Sequence, residues 1–250
     1  QAGENWDEFV QFCVDNNFAG LENLSLIPGN VGASPIQNIG AYGVELKDYF
    51  FELDFFDFET RKVKTFELKD CEFGYRNSIF KNELKGKGMI LSVTYRLNKH
   101  PEFKTEYGSI KDEIEAMGVS ELSVKTIRQA VINIRRSKLP DPEIIGNAGS
   151  FFKNLTISNE DHQRLKTEFP NIVSFSQSND SFKLAAGWLI DQCGWKGKRV
   201  GDAGVHEKQA LVLVNHGNAS GKVVYDLSEE IKNSVIDKFG VELEREVNII

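Results

Sequence analysis

The sequence lacks long hydrophobic segments and is poor in cysteine, and these absences exclude several classes of protein. No run of 18 apolar residues occurs among its 250 residues, so no membrane-spanning helix is predicted. The three cysteines, Cys13, Cys71 and Cys193, are odd in number and fit no zinc or redox spacing. This pattern favours free thiols in a reducing cytoplasm. The four histidines show no metal-ligand spacing either, so no metal site is predicted.

Basic clusters and the common catalytic fingerprints are also absent. The net charge is −7 and no block of Lys or Arg dominates, which argues against non-specific nucleic-acid binding. There is no Walker loop, HExxH or GxSxG motif. We therefore expect a cytoplasmic monomer that binds neither nucleic acid nor membranes.

The chain does not begin with Met, and its first residues predict a capped helix. Asn5 is the expected N-cap, with Glu8 three residues further on. Because the chain leads so directly into a helix, we expect it to be a piece of a longer protein that lacks its N-terminal part.

The hydrophobic patterning changes character near residues 139–142. Before this point it predicts a helix, a β-hairpin turning at Glu59-Thr60, a strand and a second helix. After it, helices alternate with short strands. The predicted helices are 6–16, 124–137, 158–169, 183–193 and 220–239, and the predicted strands are 49–58, 61–68, 89–97, 210–214 and 241–249. The fold class is predicted as α+β, with parts at 1–139, 140–240 and 241–250.

Two segments are unusually rich in glycine. Residues 20–43 contain five glycines and two prolines, yet they are apolar, which indicates a loop packed against protein or a cofactor. Residues 146–154 (GNAGSFFKN) contain a small-residue turn that would present Ser150 at a loop tip, with Lys153 and Asn154 as nearby donors. An ordinary turn with Ser150 as a helix N-cap explains the same residues.

Charged and aromatic residues elsewhere could either belong to a functional site or be ordinary surface residues. Arg76 follows Tyr75 after a glycine turn and would bind a carboxylate, or else be a surface arginine paired with Asp70 or Glu72. Tyr107 in its loop would stack on a base or sugar, or be plain surface.

Two further groups have the same ambiguity. Arg135, Arg136 and Lys138 would clamp a phosphate, or simply favour a helix C-terminus. Glu246, with Glu242 and Glu244, lies on one face of the final predicted strand and would either face solvent or shuttle a proton.

Four segments in order resemble the UDP-N-acetylenolpyruvoylglucosamine reductase family over essentially the whole chain. They are residues 27–43, 73–80 (FGYRNSIF), 146–154 and 183–193 (KLAAGWLIDQC). The resemblance implies a partial FAD-binding domain of the vanillyl-alcohol-oxidase type and a C-terminal α/β substrate-binding domain. It also implies that residues 241–250 return to the FAD-binding part, that the pyrophosphate loop lies upstream, and that the Tyr107 loop marks a subtype that closes a tyrosine over the nucleotide sugar.

The same resemblance implies a reaction and its residues. NADPH would reduce FAD, and hydride would then pass from flavin N5 to C3 of UDP-N-acetylglucosamine enolpyruvate, in peptidoglycan precursor synthesis. Ser150 would give a proton to C2, helped by Lys153, while Arg76 and Glu246 stabilise the enolate-like charge. Substrate contacts are expected from Tyr75, Tyr107, Lys138, Lys153, Asn154 and Gln209, and cofactor contacts from Ile36, Gly40, Ala41, Tyr42 and Arg135.

The chain departs from the family pattern at two places near its end. Arg245 stands where proline is common, and Asn248 where arginine is common. The Asn248 departure puts one FAD or substrate contact in doubt, while Glu246 itself is in register. Two alternatives stay open: a nucleotide-sugar-binding fragment that is inactive without the pyrophosphate loop, and a related FAD oxidase of another alcohol or sugar.

Overall fold

A computed structural model describes residues 1–177 and 179–249. The chain forms two compact units. The units are Gln1–Ser137 and Lys138–Ile250. Both contain helices and antiparallel sheets, so the predicted α+β class is confirmed. Ile250, the last residue of the predicted return segment, lies outside the described residues. The roles given to the parts stay predictions.

The first unit is built around a three-stranded sheet whose middle strand is β3. Its strands are β1 (Gly40–Ala41), β2 (Val44–Glu45), β3 (Phe50–Asp57), β4 (Lys62–Glu67) and β5 (Gly88–Tyr95), and its helices are α1 (Trp6–Asp15), α2 (Ile110–Ala116) and α3 (Val124–Lys138). The β3–β4 hairpin confirms the predicted turn at Glu59-Thr60. Helix α2 has no counterpart among the predicted helices, because only Ile110 and Ile114 of its seven residues are buried.

Helix α1 illustrates how local sequence and packing agree in this unit. The Asn5 side chain accepts hydrogen bonds from the amides of Asp7 and Glu8, which satisfies two groups that an uncapped helix leaves open. The buried face includes Trp6 and Val10, and the indole Nε1 of Trp6 donates to the carbonyl oxygen of Leu24 over 2.8 Å. The helix is thereby tied to the glycine-rich loop that follows it.

The second unit contains a four-stranded and a three-stranded sheet. The strands are β6 (Gly146–Ser150), β7 (Phe152–Lys153), β8 (Leu155–Ser158), β9 (Ser174–Ser176), β10 (Ser181–Leu184), β11 (Arg199–Val200), β12 (Ala203–Val205), β13 (Val212–Asn215) and β14 (Glu244–Arg245). Their orders are β11-β12-β13-β6 and β8-β10-β9, and β14 pairs with β7. The helices are α4 (Asn159–Glu168), α5 (Ala186–Gln192) and α6 (Gly221–Phe239).

The predicted caps of α4 and α6 are confirmed. Ser158 accepts from the Asp161 amide at the start of α4, and Ser220 does the same for Val223 at the start of α6. Gly240 ends α6 in the left-handed conformation that glycine adopts without steric cost. Among the described helices, none is long and apolar enough to cross a membrane.

Two predicted elements are wrong in extent. The helix predicted over 183–193 begins at Ala186, because Ser181–Leu184 pairs with β8 and β9 as a strand. The strand predicted over 241–249 is reduced to Glu244–Arg245, which pairs with Lys153 and Phe152 in the same unit. In both places a sheet partner distant in sequence decides the boundary. The predicted return of this segment to the FAD-binding part stays a prediction.

Candidate active site

In the first unit, the predicted cofactor loop is a tight hairpin. Gly40 pairs with Glu45 and Ala41 with Val44, so Tyr42 and Gly43 form a two-residue connection. Both connecting residues have positive φ, 50° at Tyr42 and 80° at Gly43, as a type I′ turn requires. A Cβ added at Gly40 would lie 3.0 Å from Arg76 Nη1 and 3.1 Å from Glu45 Cγ, so glycine at this position lets the Arg76 side chain pack on the hairpin.

The second predicted segment is also a two-residue turn. Gly74 and Asn77 exchange backbone hydrogen bonds across Tyr75 and Arg76. Arg76 has a φ of 54°, an uncommon conformation for a residue with a side chain. The Arg76 guanidinium lies over the Tyr75 ring at 5.1 Å, and its Nη2 donates to the carbonyl oxygen of Gly40 over 2.6 Å. The predicted catalytic arginine therefore rests on the predicted cofactor hairpin.

Buried polar side chains lock the two turns together. Asn38 is fully buried, and its Nδ2 donates to Glu45 Oε2 and to the carbonyl oxygen of Gly74, each over 3.0 Å. Ser78, also fully buried, donates through Oγ to the carbonyl oxygen of Ile36 over 2.6 Å. The bonds from Asn38 to Gly74 and from Ser78 to Ile36 join segments that are remote in sequence. They hold the two turns at a fixed spacing, which keeps the site rigid.

The Tyr107 loop packs on the Tyr42-Gly43 turn. A side chain added at Gly43 would place its Cβ 3.2 Å from Tyr107 Cβ. Asn23, which is almost fully buried, donates through Nδ2 to the carbonyl oxygens of Tyr42 and Lys104 over 2.9 and 2.8 Å. The Tyr107 side chain is itself half exposed, so a ligand can reach it.

Arg135 is the most unusual cation of the first unit. Its Nε is buried and has no hydrogen-bond partner among the residues that the structure describes. Burial lowers the pKa of the Arg135 guanidinium, while nearby Tyr42 and Asp7 oppose this shift. Burial likewise raises the pKa of the Tyr42 hydroxyl. Because a buried donor without an acceptor is costly, the orphaned Nε favours an anionic ligand here.

In the second unit, Ser150 ends a strand. It is the last residue of β6 and pairs with Val212 of β13, so its prediction as a loop tip or helix N-cap is wrong. The signal for a turn comes from Gly149, whose φ is 70°, and whose amide is bonded to Asn147 Oδ1. Ser150 is half-buried.

The end of the chain runs beside Ser150. The Glu246 amide donates to the carbonyl oxygen of Phe151 over 2.9 Å, one residue beyond Ser150. Glu244 pairs with Lys153 in the strand register, and their side chains form an ion pair of 2.5 Å. The structure therefore brings Glu246 next to the Ser150 segment, while Lys153 is engaged by Glu244.

Asn154 and Gln209 have structural partners that orient them. Asn154 Oδ1 accepts from the Ala186 amide at the start of α5 over 3.0 Å. Gln209 Oε1 accepts from the Leu211 amide over 3.3 Å, and the Leu211 carbonyl oxygen accepts from the Phe151 amide over 2.7 Å. Lys138 is exposed at the end of α3.

The described part of the chain has no evident metal site, and its second unit has a cavity away from the predicted catalytic residues. No group of three His, Cys, Asp or Glu residues there is arranged to hold a metal ion. The second unit contains a largely apolar cavity of about 430 Å³ between Ala148 of β6, Val214 of β13 and Tyr225 of α6, with Asn248 at its edge. None of the predicted catalytic residues lines this cavity.

Sequence reasoning missed the residues that hold the site in place. Asn23, Asn38, Ser78 and Arg245 form the hydrogen bonds that position the turns and the final strand. The only signal for Asn23 and Asn38 was their presence in an apolar loop, where an amide has to find buried partners.

Comparisons with known proteins agree over the whole chain. Residues 1–65 match the family described as FAD binding domain, and residues 141–250 match UDP-N-acetylenolpyruvoylglucosamine reductase, C-terminal domain. A protein of Flavobacterium johnsoniae named UDP-N-acetylenolpyruvoylglucosamine reductase is 51% identical over 251 residues, covering 100% of this chain and 74% of its own length. One of the same name from Bdellovibrio bacteriovorus is 52% identical over 98% of this chain and 73% of its own.

A solved structure shows the same fold. It is the crystal structure of UDP-N-acetylenolpyruvylglucosamine reductase from Thermus caldophilus, with a TM-score of 0.67 and 25% identity. The similarity covers 99% of this chain and 70% of that one. With relatives above 50% identity along the entire sequence, this chain belongs to the UDP-N-acetylenolpyruvoylglucosamine reductase family of FAD-dependent oxidoreductases.

Proposed function

We propose that this chain reduces UDP-N-acetylglucosamine enolpyruvate to UDP-N-acetylmuramate, with NADPH as the electron donor, in peptidoglycan precursor synthesis. The observation that carries the proposal is the juxtaposition of Glu246 with the Ser150 segment, through the 2.9 Å bond from the Glu246 amide to Phe151. Ser150 and Glu246 are almost a hundred residues apart in the sequence, and the backbone bond to Phe151 brings their segments together. The relatives of this chain have the corresponding activity in their name.

The described residues of the first unit fit FAD. We assign contact with the flavin to the Gly40-Ala41 hairpin, on which Arg76 packs, and Arg135 has a buried donor without an acceptor that suits a diphosphate. When bound, FAD supplies the hydride that goes to C3 of the enolpyruvyl group, after accepting one from NADPH. Ile36 and Tyr42 complete the proposed contacts of the hairpin with the cofactor.

Charge balance defines what the protein side chains must do. Hydride addition at C3 leaves an electron pair at C2, which is delocalised into the adjacent carboxylate. Arg76 provides a permanent positive charge for that developing charge, and its turn and its bond to Gly40 hold it in place in advance. Ser150 then gives its hydroxyl proton to C2, which completes the addition of two hydrogens across the double bond.

Glu246 and the remaining polar residues have supporting roles in this proposal. Glu246 acts with Arg76 on the enolate-like charge. Tyr75, Tyr107, Lys138, Lys153, Asn154 and Gln209 contact the nucleotide sugar. The fixed orientation of the Asn154 and Gln209 amides, through Ala186 and Leu211, supports a binding role because a preorganised amide loses less entropy when a ligand binds.

The decisive experiment separates the two halves of the reaction in Ser150→Ala. Reduction of bound FAD by NADPH should proceed as in the wild type, whereas reoxidation by the enolpyruvyl substrate should slow roughly 10²- to 10⁴-fold, because a proton donor is lost. Ser158→Ala is the matched control, since it removes a serine of the same unit that only caps α4. Equal losses in both halves, or a normal reoxidation rate, would contradict the proton-donor role.

The alternative, an inactive nucleotide-sugar-binding fragment, is tested by comparing this chain with a longer form of it. The relatives are longer than this chain, which spans 74% and 73% of two of them. FAD retention through gel filtration and NADPH oxidation are compared for the 250 residues and for a form extended to the relatives' length. Substrate-dependent oxidation only in the extended form would favour the fragment interpretation for the shorter one. Reduction of the bound FAD by an alcohol or sugar in place of NADPH would indicate the alternative oxidase.

The cellular setting of the proposed function follows from its reactants. UDP-N-acetylmuramate is a wall precursor, so loss of the activity is expected to impair cell shape and division. We further propose that the enzyme works in the cytoplasm, where NADPH and nucleotide sugars are available, and that it acts as a monomer. Size-exclusion chromatography with light scattering tests the last point.

A further inference from the structure

Arg245 of β14 makes a dense set of contacts with helix α6. Its Nε donates to Ser228 Oγ over 2.8 Å, and its Nη2 donates to Glu229 Oε1 over 2.6 Å. Its guanidinium carbon lies 4.5 Å from the centroid of the Tyr225 ring. The side chain is only 14% exposed. These contacts use both the fork of donors and the flat face of the guanidinium, which lysine cannot reproduce.

The strand that carries Arg245 is short. β14 contains two residues and pairs only with β7 among the described strands, whereas typical strands contain five or six residues. The other cross-strand contact, the Lys153–Glu244 ion pair, has a carboxylate that is 68% exposed, so solvent weakens it. The contacts of Arg245 are therefore the main side-chain attachment of this strand to α6.

Arg245 is also placed to set the position of the next residue. Successive side chains of a strand alternate between faces, so when Arg245 is directed to α6, Glu246 is directed away from it. The Glu246 amide is bonded to Phe151, which follows Ser150. A shift of β14 by one residue would exchange the two faces and break the backbone bond that places Glu246 opposite Phe151.

Electrostatics favour a strong contact between Arg245 and Glu229. The hydrogen bond from Arg245 lowers the pKa of the Glu229 carboxyl, as does one from Tyr225. Glu229 is therefore ionised at neutral pH, and the bond to Arg245 is charge-assisted.

We propose that Arg245 is a positioning residue, which clamps β14 to Ser228, Glu229 and Tyr225 of α6 and thereby holds Glu246 in register opposite Phe151, the residue that follows Ser150. This inference rests on the proposed function, because it assigns Arg245 to the placement of a proposed catalytic group. It adds a residue that would not contact substrate or cofactor.

The test compares Arg245→Met and Arg245→Lys with a matched control, Lys232→Met. Lys232 lies on α6, the helix that Arg245 contacts, and its side chain is 16% exposed. It forms a 2.9 Å ion pair with Glu242, three residues before Arg245. The control thus removes an equally shielded cation that joins α6 to a residue just before β14, and it leaves every contact of β14 itself in place. All variants are assayed as FAD-loaded enzyme, and the exchange rate of the Glu246 amide proton is measured separately by NMR.

Clamping by Arg245 predicts a specific pattern. In Arg245→Met, substrate-dependent reoxidation should slow about tenfold in kcat with KM little changed, while reduction by NADPH stays at the wild-type rate. The Glu246 amide should exchange at least about tenfold faster, as expected for local opening. Arg245→Lys should recover only part of either effect, and Lys232→Met should change neither. The double variant Arg245→Glu with Glu229→Arg should restore protection relative to Arg245→Glu alone.

Two results would overturn the proposal. Unchanged Glu246 exchange in Arg245→Met would show that the strand keeps its place without the clamp, whatever happens to turnover. Equal effects of Arg245→Met and Lys232→Met would show general anchoring of the chain end. A wild type without substrate-dependent oxidation would refute the proposed function and this role for Glu246, whereas altered amide exchange alone would still measure the clamp.

Discussion

Asn23 offers a sharp test of how the cofactor hairpin and the Tyr107 loop are held together. Its Nδ2 donates to the carbonyl oxygens of Tyr42 and Lys104 over 2.9 and 2.8 Å, and the side chain is 2% exposed. In Asn23→Ala both bonds disappear and two carbonyl groups lose a buried donor. At about 1–2 kcal/mol for each bond and its stranded partner, the local loss is about 2–4 kcal/mol. Amide exchange in the two segments should then accelerate roughly 30- to 1000-fold.

Hydrogen exchange followed by mass spectrometry measures this effect where it should occur. Peptides covering residues 40–45 and 104–108 should exchange faster in Asn23→Ala, while peptides of the second unit act as an internal reference. Asn16→Ala is the control, because Asn16 donates to the carbonyl oxygen of Phe12 at an exposed position, where a lost bond costs little. Unchanged exchange in both segments, or faster exchange throughout the protein, would refute the role of Asn23 as a shared local anchor.

Two further predictions concern titratable groups outside the proposed chemistry. Burial tends to raise the pKa of Asp7, but hydrogen bonds from Arg128 and the Leu26 amide outweigh it, so the folded pKa lies below 3.8. The stabilisation by Asp7 is thus complete above pH 3.8 and is lost as the pH falls through the folded pKa. The stability advantage of the wild type over Asp7→Asn should shrink below pH 3.8 in urea titrations, and a constant difference would contradict the ion pair. Because burial raises the pKa of Cys13 to about 11 and of Cys71 to about 12, iodoacetamide should label the partly exposed Cys193 first, and early labelling of either buried thiol would contradict this burial.

Local sequence signals predicted those elements whose ends are decided locally. Ser158, Ser220 and Gly240 mark the ends of α4 and α6 through bonds to their own helix, so the sequence alone was sufficient. The β3–β4 hairpin was equally readable, because its turn and its alternating pattern lie within twenty residues. The family resemblance supplied the class of enzyme, which periodicity could not.

Elements whose ends depend on distant partners were not predictable in this way. Residues 183–193 contain a good helical pattern, yet Lys183 and Leu184 belong to a strand, since β8 and β9 offer backbone partners on both sides. Ser150 follows a glycine with positive φ and reads as a turn, but Val212 pairs with it. In each case at least one competing partner, β8 for Lys183 and Leu184 and Val212 for Ser150, lies more than twenty residues away, which no window of local sequence reveals.

The candidate site shows the same division between residues that react and residues that hold them. Arg76 could be predicted as a site residue from the sequence, because the charge and shape of an arginine side chain already suit a carboxylate. Asn38 was not, because its importance comes from two acceptors, Glu45 Oε2 and the Gly74 carbonyl oxygen, that only the fold places within 3.0 Å. The positive φ of Arg76 is a strained conformation, and such strain persists only where surrounding contacts determine it. The bonds from Asn38 and Ser78 to the adjoining segments hold the turn in that conformation. The Arg76 guanidinium is therefore positioned by residues that need not contact the substrate themselves.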